Sequence, residues 1–114
     1  MHELGIIVQL VRTLGDIARE KHVSRISSVT LEVGELSGIV PDYFKDCWAY
    51  YRKKTPLIAG AELRVTMEPG VTVCQDCQQI YETVKYGKIC PFCRSEQTCL
   101  LRGNELKIRQ IEAE

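Results

Sequence analysis

Four cysteines constrain this chain more than any other feature. Cys74 and Cys77 form one C-x-x-C pair, Cys90 and Cys93 form a second, and twelve residues lie between the pairs. Zn2+ has no geometric preference from its d electrons and accepts four thiolates in a tetrahedron at roughly 2.3 Å. Cysteines two residues apart put both sulfurs on one side of a tight knuckle, so two pairs complete a shell. Gly87 before the second pair and Pro91 within it suit the sharp backbone changes that knuckles need. Two local disulfides or a redox C-x-x-C are the competing readings. Redox motifs come singly beside a βαβ pattern, which is absent here. The spacing therefore predicts a structural zinc, whose closed four-sulfur shell leaves no open position for a substrate. That directs the search for function elsewhere, and away from enzymes.

Composition narrows the remaining classes. A chain of 114 residues makes one ordinary domain, or a small domain plus a metal-stapled module. Its formal net charge is zero, and four thiolates around one zinc add about −2. Nucleic-acid ribbons carry a basic face, whereas the ribbon segment here holds only Lys85, Lys88 and Arg94 up to the last cysteine of the second pair and its neighbour. No nucleic-acid partner is expected. The opening Met1-His2-Glu3 is not a basic leader followed by an apolar region, and no apolar run approaches the ~18 residues of a membrane span. Six cysteines, four of them assigned to metal, point to a reducing cytoplasm with no membrane association.

Taken in order, the chain alternates helix and strand. Leu4, Ile7, Val11, Leu14 and Ala18 recur at helical spacing, with Arg19, Lys21 and His22 near the carbonyl end of the helix. Val29-Thr30-Leu31-Glu32-Val33 alternates and is β-branched, which predicts a strand burying Val29, Leu31 and Val33. Gly34-Glu35-Leu36-Ser37-Gly38 breaks it. Pro41 and Asp42 then start a second helix, with Phe44, Cys47, Trp48 and Tyr51 on its core stripe. Leu63, Val65 and Met67 mark a second strand that ends at Pro69-Gly70. Gly103-Asn104 turns into a last strand from Glu105 to Ile111.

A strand on either side of the cysteine module makes the module an insertion. If those two strands pair antiparallel, the ribbon projects from one sheet edge. The expected architecture is α+β: a small three-stranded sheet with two helices, in the order α-β-α-β-(zinc)-β, plus an inserted zinc ribbon. Residues 1–69 with 104–114 would form the main domain and 70–103 the ribbon.

Few residues outside the ribbon offer chemistry. His22 follows the first helix as an exposed or capping residue, Cys47 is a buried small hydrophobe, and Cys99 is a spare thiol. Ser37 and Ser95 have no histidine and acid at triad spacing, and no phosphate-binding glycine loop occurs. His2 differs because Met1 precedes it. The α-amino group, the Met1–His2 amide nitrogen and the imidazole Nδ1 close two chelate rings with three nitrogens in a plane. Ni2+ and Cu2+ favour that tetragonal set and zinc does not. The Glu3 amide or carboxylate would complete or cap the shell. A bulky second residue also leaves the initiator methionine in place. On the residues alone, an ordinary terminal histidine competes with this chelate.

Met1-His2-Glu3, Gly34-Glu35-Leu36-Ser37-Gly38, the paired cysteines and the ending Gly103-Asn104-Glu105-Leu106 through Ile111-Glu112 together make the chain resemble the HypA/HybF family over nearly its whole length. Members of that family are hydrogenase maturation proteins acting as nickel metallochaperones. The resemblance implies nickel at His2 with Met1 and Glu3 contributing, and zinc at Cys74, Cys77, Cys90 and Cys93. Some relatives use a carboxylate just after the Gly34 loop as a further contact; here Val40 lines up by counting, with Asp42 nearby. It also implies delivery of Ni2+ to the large subunit precursor of a [NiFe]-hydrogenase, beside a HypB-type GTPase, and in some organisms service to urease; self-association of the chain is a separate partner expectation. The alternative is a zinc-ribbon interaction adaptor without nickel cargo.

Overall fold

The computed structural model describes residues 3–114. Its elements run α1 (Glu3–Lys21), β1 (Ile26–Gly34), α2 (Pro41–Arg52), a 3-10 turn (Pro56–Ile58), β2 (Glu62–Glu68), β3 (Val71–Cys74), β4 (Ile80–Glu82), α3 (Thr83–Tyr86), β5 (Thr98–Arg102) and β6 (Leu106–Ala113). This is the expected α+β order. The chain divides into two compact units: one holds the residues up to Leu31, Ile39–Thr66 and Lys107–Glu114, and the other holds Glu32–Gly38 and Met67–Leu106. Among the described residues, no helix is long and apolar enough to cross a membrane.

In the first unit, α1 buries Ile7, Leu10, Leu14 and Ala18. Ile7, Leu14 and Ala18 are buried as expected; Leu4, at 45 % exposed, and Val11, half-buried, depart from the expected stripe, and Glu3 faces inward. There the Val40 N–H donates to Glu3 Oε2 at 3.3 Å. Helix α1 ends with His22 at φ 57°, the Val23 N–H donating to Ala18 O at 2.9 Å and the His22 N–H to Arg19 O at 3.3 Å. That left-handed residue ends the helix where glycine is usual.

Helix α2 starts at Pro41, where the missing N–H costs nothing, and buries Phe44, Cys47 and Trp48. Tyr51, expected on this stripe, is only half-buried. Trp48 Nε1 and Arg52 Nη1 both donate to Ala61 O, at 3.2 and 2.9 Å, which satisfies the indole inside the core.

The larger sheet has the order β2-β1-β6. The two strands flanking the cysteine module therefore do not pair with each other; β1 lies between them. β1 is the most apolar strand, and Val29, Leu31 and Val33 are fully buried. Placing it centrally covers both of its sides, while Leu63, Val65, Leu106 and Ile108 on the flanking strands stay half-buried and Met67 is exposed rather than buried.

The second unit is rooted on three glycines. The Gly34 N–H donates to Glu105 O, Glu35 N–H to Glu68 O and Leu36 N–H to Gly103 O, at 2.7 to 2.8 Å. Glu35 Oε1 accepts from the Gly70 N–H at 2.9 Å. A Cβ on Gly34 would lie 2.3 Å from the Gly103 carbonyl, and one on Gly103, at φ 104°, would lie 2.4 Å from Gly70 Cα. Only glycine permits backbones this close. Above this root stands a three-stranded antiparallel sheet, β4-β3-β5, with Thr72 opposite Tyr81 on one side and Leu100 on the other.

Candidate metal centre

Strand β3 delivers Cys74 directly into the first knuckle. The Gln78 N–H returns to Cys74 O at 2.9 Å, Cys74 N–H donates to Gln79 O at 2.9 Å, and Cys77 N–H points at Cys74 Sγ at 3.5 Å. The second knuckle repeats this pattern. Arg94 N–H donates to Cys90 O at 2.8 Å, Cys90 N–H to Ser95 O at 3.0 Å, and Phe92 N–H to Cys90 Sγ at 3.4 Å. Each knuckle closes on a left-handed residue, Gln78 at φ 66° and Arg94 at φ 65°. Gly87 serves elsewhere, capping α3 at φ 73°, with its carbonyl accepting from Tyr81 OH at 2.9 Å.

The two knuckles bring the four Sγ atoms of Cys74, Cys77, Cys90 and Cys93 within 4.8 Å of one another. Cys74 and Cys93 Sγ are 3.6 Å apart, as are Cys77 and Cys90. Four sulfurs at Zn–S ≈ 2.3 Å in a tetrahedron lie about 3.8 Å apart, so the cluster has the dimensions of a zinc shell. Cys74 and Cys90 are fully buried beside Tyr81, Cys77 is half-buried, and Cys93 is exposed.

The charges of this cluster ask for a cation. Burial pushes the Cys90 thiol up, but the N–H groups of Cys93 and Phe92 and the thiols of Cys77 and Cys93 outweigh it, and it falls to about 7. At Cys93 the Ser95 N–H acts downward, yet burial and its three cysteine neighbours prevail and raise it to about 12. Gln79's N–H draws Cys77 down, but burial and the thiols of Cys90 and Cys74 leave it raised. One thiolate forms readily and its neighbours resist, which a divalent ion reverses by neutralising all of them at once. Cys99 stays outside, exposed on β5 with Gln75 Nε2 at 3.7 Å from its sulfur. Cys47 is buried in α2.

The second expected metal region is at the start of α1. Met1 and His2 lie outside the described residues. Glu3 is 2 % exposed and bonded to the Val40 N–H. Val40 thus contributes its backbone, while its side chain is exposed. The Cys47 thiol, then burial, then the Glu3 carboxylate hold the Tyr43 phenol above its ordinary range. The first turn of α1 and the first turns of α2 therefore share one electrostatic neighbourhood.

An α+β domain interrupted by a closed tetrathiolate module defines a small metal-handling protein whose zinc is structural. The chain belongs to the HypA family, described as hydrogenase/urease nickel incorporation, metallochaperone, whose model matches residues 1–113. It is therefore a nickel metallochaperone and maturation factor, not an enzyme. It is similar to hydrogenase maturation factor HypA 1 of Bradyrhizobium diazoefficiens, with 32 % identity over 112 residues covering 98 % of each chain. It is also similar to hydrogenase maturation factor HypA of Trichormus variabilis, with 37 % identity over 114 residues covering 100 % of this chain and 96 % of the relative. In fold it resembles the solution structure of the Ni metallochaperone HypA from Helicobacter pylori. There the TM-score is 0.76 at 23 % identity, over 99 % of this chain and 97 % of the other.

Proposed function

We propose that this chain carries Ni2+ at its amino-terminal segment and delivers it to the large subunit precursor of a [NiFe]-hydrogenase, in the cytoplasm and beside a HypB-type GTPase. Nickel is held by the His2 imidazole with the backbone nitrogens around Met1 and His2, and Glu3 stands next to the metal. Zinc is held by Cys74, Cys77, Cys90 and Cys93 and maintains the shape of the ribbon. Residues 1–69 with 104–114 handle the cargo, and 70–103 present a docking face.

The closed sulfur shell is the observation that carries this division. A family that incorporates nickel needs a second site that can open, and four bonds to zinc make a poor place for cargo in transit. A site on the first turn of a helix opens locally at low cost. Glu3 supports the assignment, since a buried carboxylate bonded to the start of α2 supplies negative charge beside a cation.

The test is a calorimetric nickel titration of zinc-loaded protein with a native amino terminus, beside His2→Ala and a form carrying one extra residue before Met1. Saturable binding lost in both variants supports the assignment. Binding that survives both moves nickel elsewhere, and no binding in the native form leaves a zinc-stabilised adaptor.

A further inference from the structure

The two knuckles of the ribbon share one backbone pattern but carry unlike surfaces. Between its cysteines the first holds Gln75 and Asp76 and closes on Gln78, whereas the second holds Pro91 and Phe92 and closes on Arg94. Phe92 stands where the first knuckle has an acid, so the sulfur shell itself does not require an aromatic there. The stretch leading to it has the same character. Val84 and Phe92 are each 63 % exposed, and Tyr86 and Ile89 are exposed as well. Lys85, Lys88 and Arg94 are exposed among them, and no Asp or Glu occurs from Thr83 to Ser95. None of the ion pairs among the described residues uses these three cations.

The backbone of this stretch is pinned while those side chains stay outside. Thr83 N–H donates to Gly70 O at 3.0 Å, and the Thr83 hydroxyl pairs with that of Thr72 at 2.6 Å. Tyr81 OH donates to Gly87 O at 2.9 Å, and its ring meets Tyr86 edge-on at 6.0 Å. Thr98 Oγ1 donates to Lys88 O at 2.7 Å, and Cys90 and Cys93 belong to the metal cluster. Apolar groups held out on a fixed frame mark an interaction site, and little ordering remains to oppose binding. Charge selects the occupant. Bases and acids number 15 each over the whole chain, so the chain outside 83–95 holds three more acids than bases. The second knuckle is therefore a local basic island. Anionic membranes are recognised by clusters of about four to eight cations, and nucleic acid by a more extensive basic face. Three cations interleaved with apolar side chains match a short protein segment that combines acids with apolar residues.

We propose that the second knuckle and its approach, residues 83–95, dock an acidic, apolar-bearing segment of a partner protein. Lys85, Lys88 and Arg94 meet its carboxylates, and Val84, Ile89 and Phe92 meet its apolar side chains. The proposal rests on the reading of 70–103 as a docking face and names the chemistry that this face recognises.

Titration of the zinc-loaded, nickel-free full chain with a synthetic peptide alternating glutamate with leucine and phenylalanine, followed by amide chemical shifts, tests this. Saturable shifts are expected within 83–95, weakening as salt rises because the charges are exposed. The same peptide with lysine for each glutamate should leave the spectrum unchanged. Phe92→Ser and Lys88→Glu should each weaken the acidic peptide roughly five- to tenfold while keeping one zinc per chain. Lys85→Glu combined with Lys88→Glu should switch the preference to the lysine peptide, a gain that misfolding cannot produce. Binding of the acidic peptide elsewhere within 70–103 would keep the docking face and overturn this assignment of it. No binding overturns the proposal too, as does binding of phosphatidylserine vesicles or an oligonucleotide in place of the peptide. The nickel titration judges the carrier role separately, since none of these measurements involves nickel.

Discussion

The three-glycine root of the second unit gives the sharpest test of how the fold is held. A methyl group on Gly103 meets two separate penalties. Its φ of 104° is in the half of conformational space that side chains avoid, at roughly 1–2 kcal/mol. Its Cβ would also lie 2.4 Å from Gly70 Cα and 2.7 Å from Pro69 O. Those are backbone atoms, which cannot rotate away, so the clash adds about 1–3 kcal/mol. Gly103→Ala is therefore expected to destabilise by about 2–5 kcal/mol, a large share of the roughly 5–15 kcal/mol that holds an ordinary domain. Two controls separate the penalties. Gly87 has φ 73° but open space around it, so Gly87→Ala should cost only the conformational part, about 1–2 kcal/mol. Gly15 lies within α1 with only the tip of Arg19 nearby, at 3.7 Å, so Gly15→Ala should stabilise by about 0.5–1 kcal/mol. Equilibrium unfolding of the zinc-loaded protein in denaturant, followed by circular dichroism, measures all three. Equal losses for Gly103→Ala and Gly87→Ala would refute the close-approach argument.

Two further expectations concern the metal. Cys90→Ser should lose zinc and expose residues 70–103 to protease, whereas Cys99→Ser should keep one zinc per chain by metal analysis. Acidity should act in one direction. Because the first thiol ionises near 7 and its neighbours are held higher, zinc binding at pH 7 must displace protons. Zinc affinity should then fall as the pH drops through 7 and rise above it, as read by competition with a colorimetric chelator; an affinity independent of pH would contradict the charge argument.

The features legible in the sequence are local ones. Two cysteines in a knuckle find each other within a few residues, so their spacing announces the shell without knowledge of the fold. The alternation of Val29, Leu31 and Val33 likewise marks a buried strand whatever its neighbours. Strand order is not local. That β1 separates β2 from β6 depends on which strand most needs both sides covered, and adjacency to the module suggested otherwise. The inward turn of Glu3 on α1 is likewise not local, since its carboxylate accepts from the distant Val40 N–H. The left-handed residues that close the knuckles, Gln78 and Arg94, carry no glycine signature, whereas Gly87, the glycine nearest the second pair, caps α3. The root glycines stood in plain view, but their mutual approach appears only once the chain is folded.

X-ray absorption at both metal edges of protein loaded with one zinc and one nickel most directly tests the separation of structure from cargo. Zinc is expected to see four sulfurs at roughly 2.3 Å, unchanged by nickel, and nickel a tetragonal shell of nitrogen and oxygen alone. Sulfur at the nickel edge, or sulfur lost from zinc when nickel is added, would show that the cysteines carry the cargo.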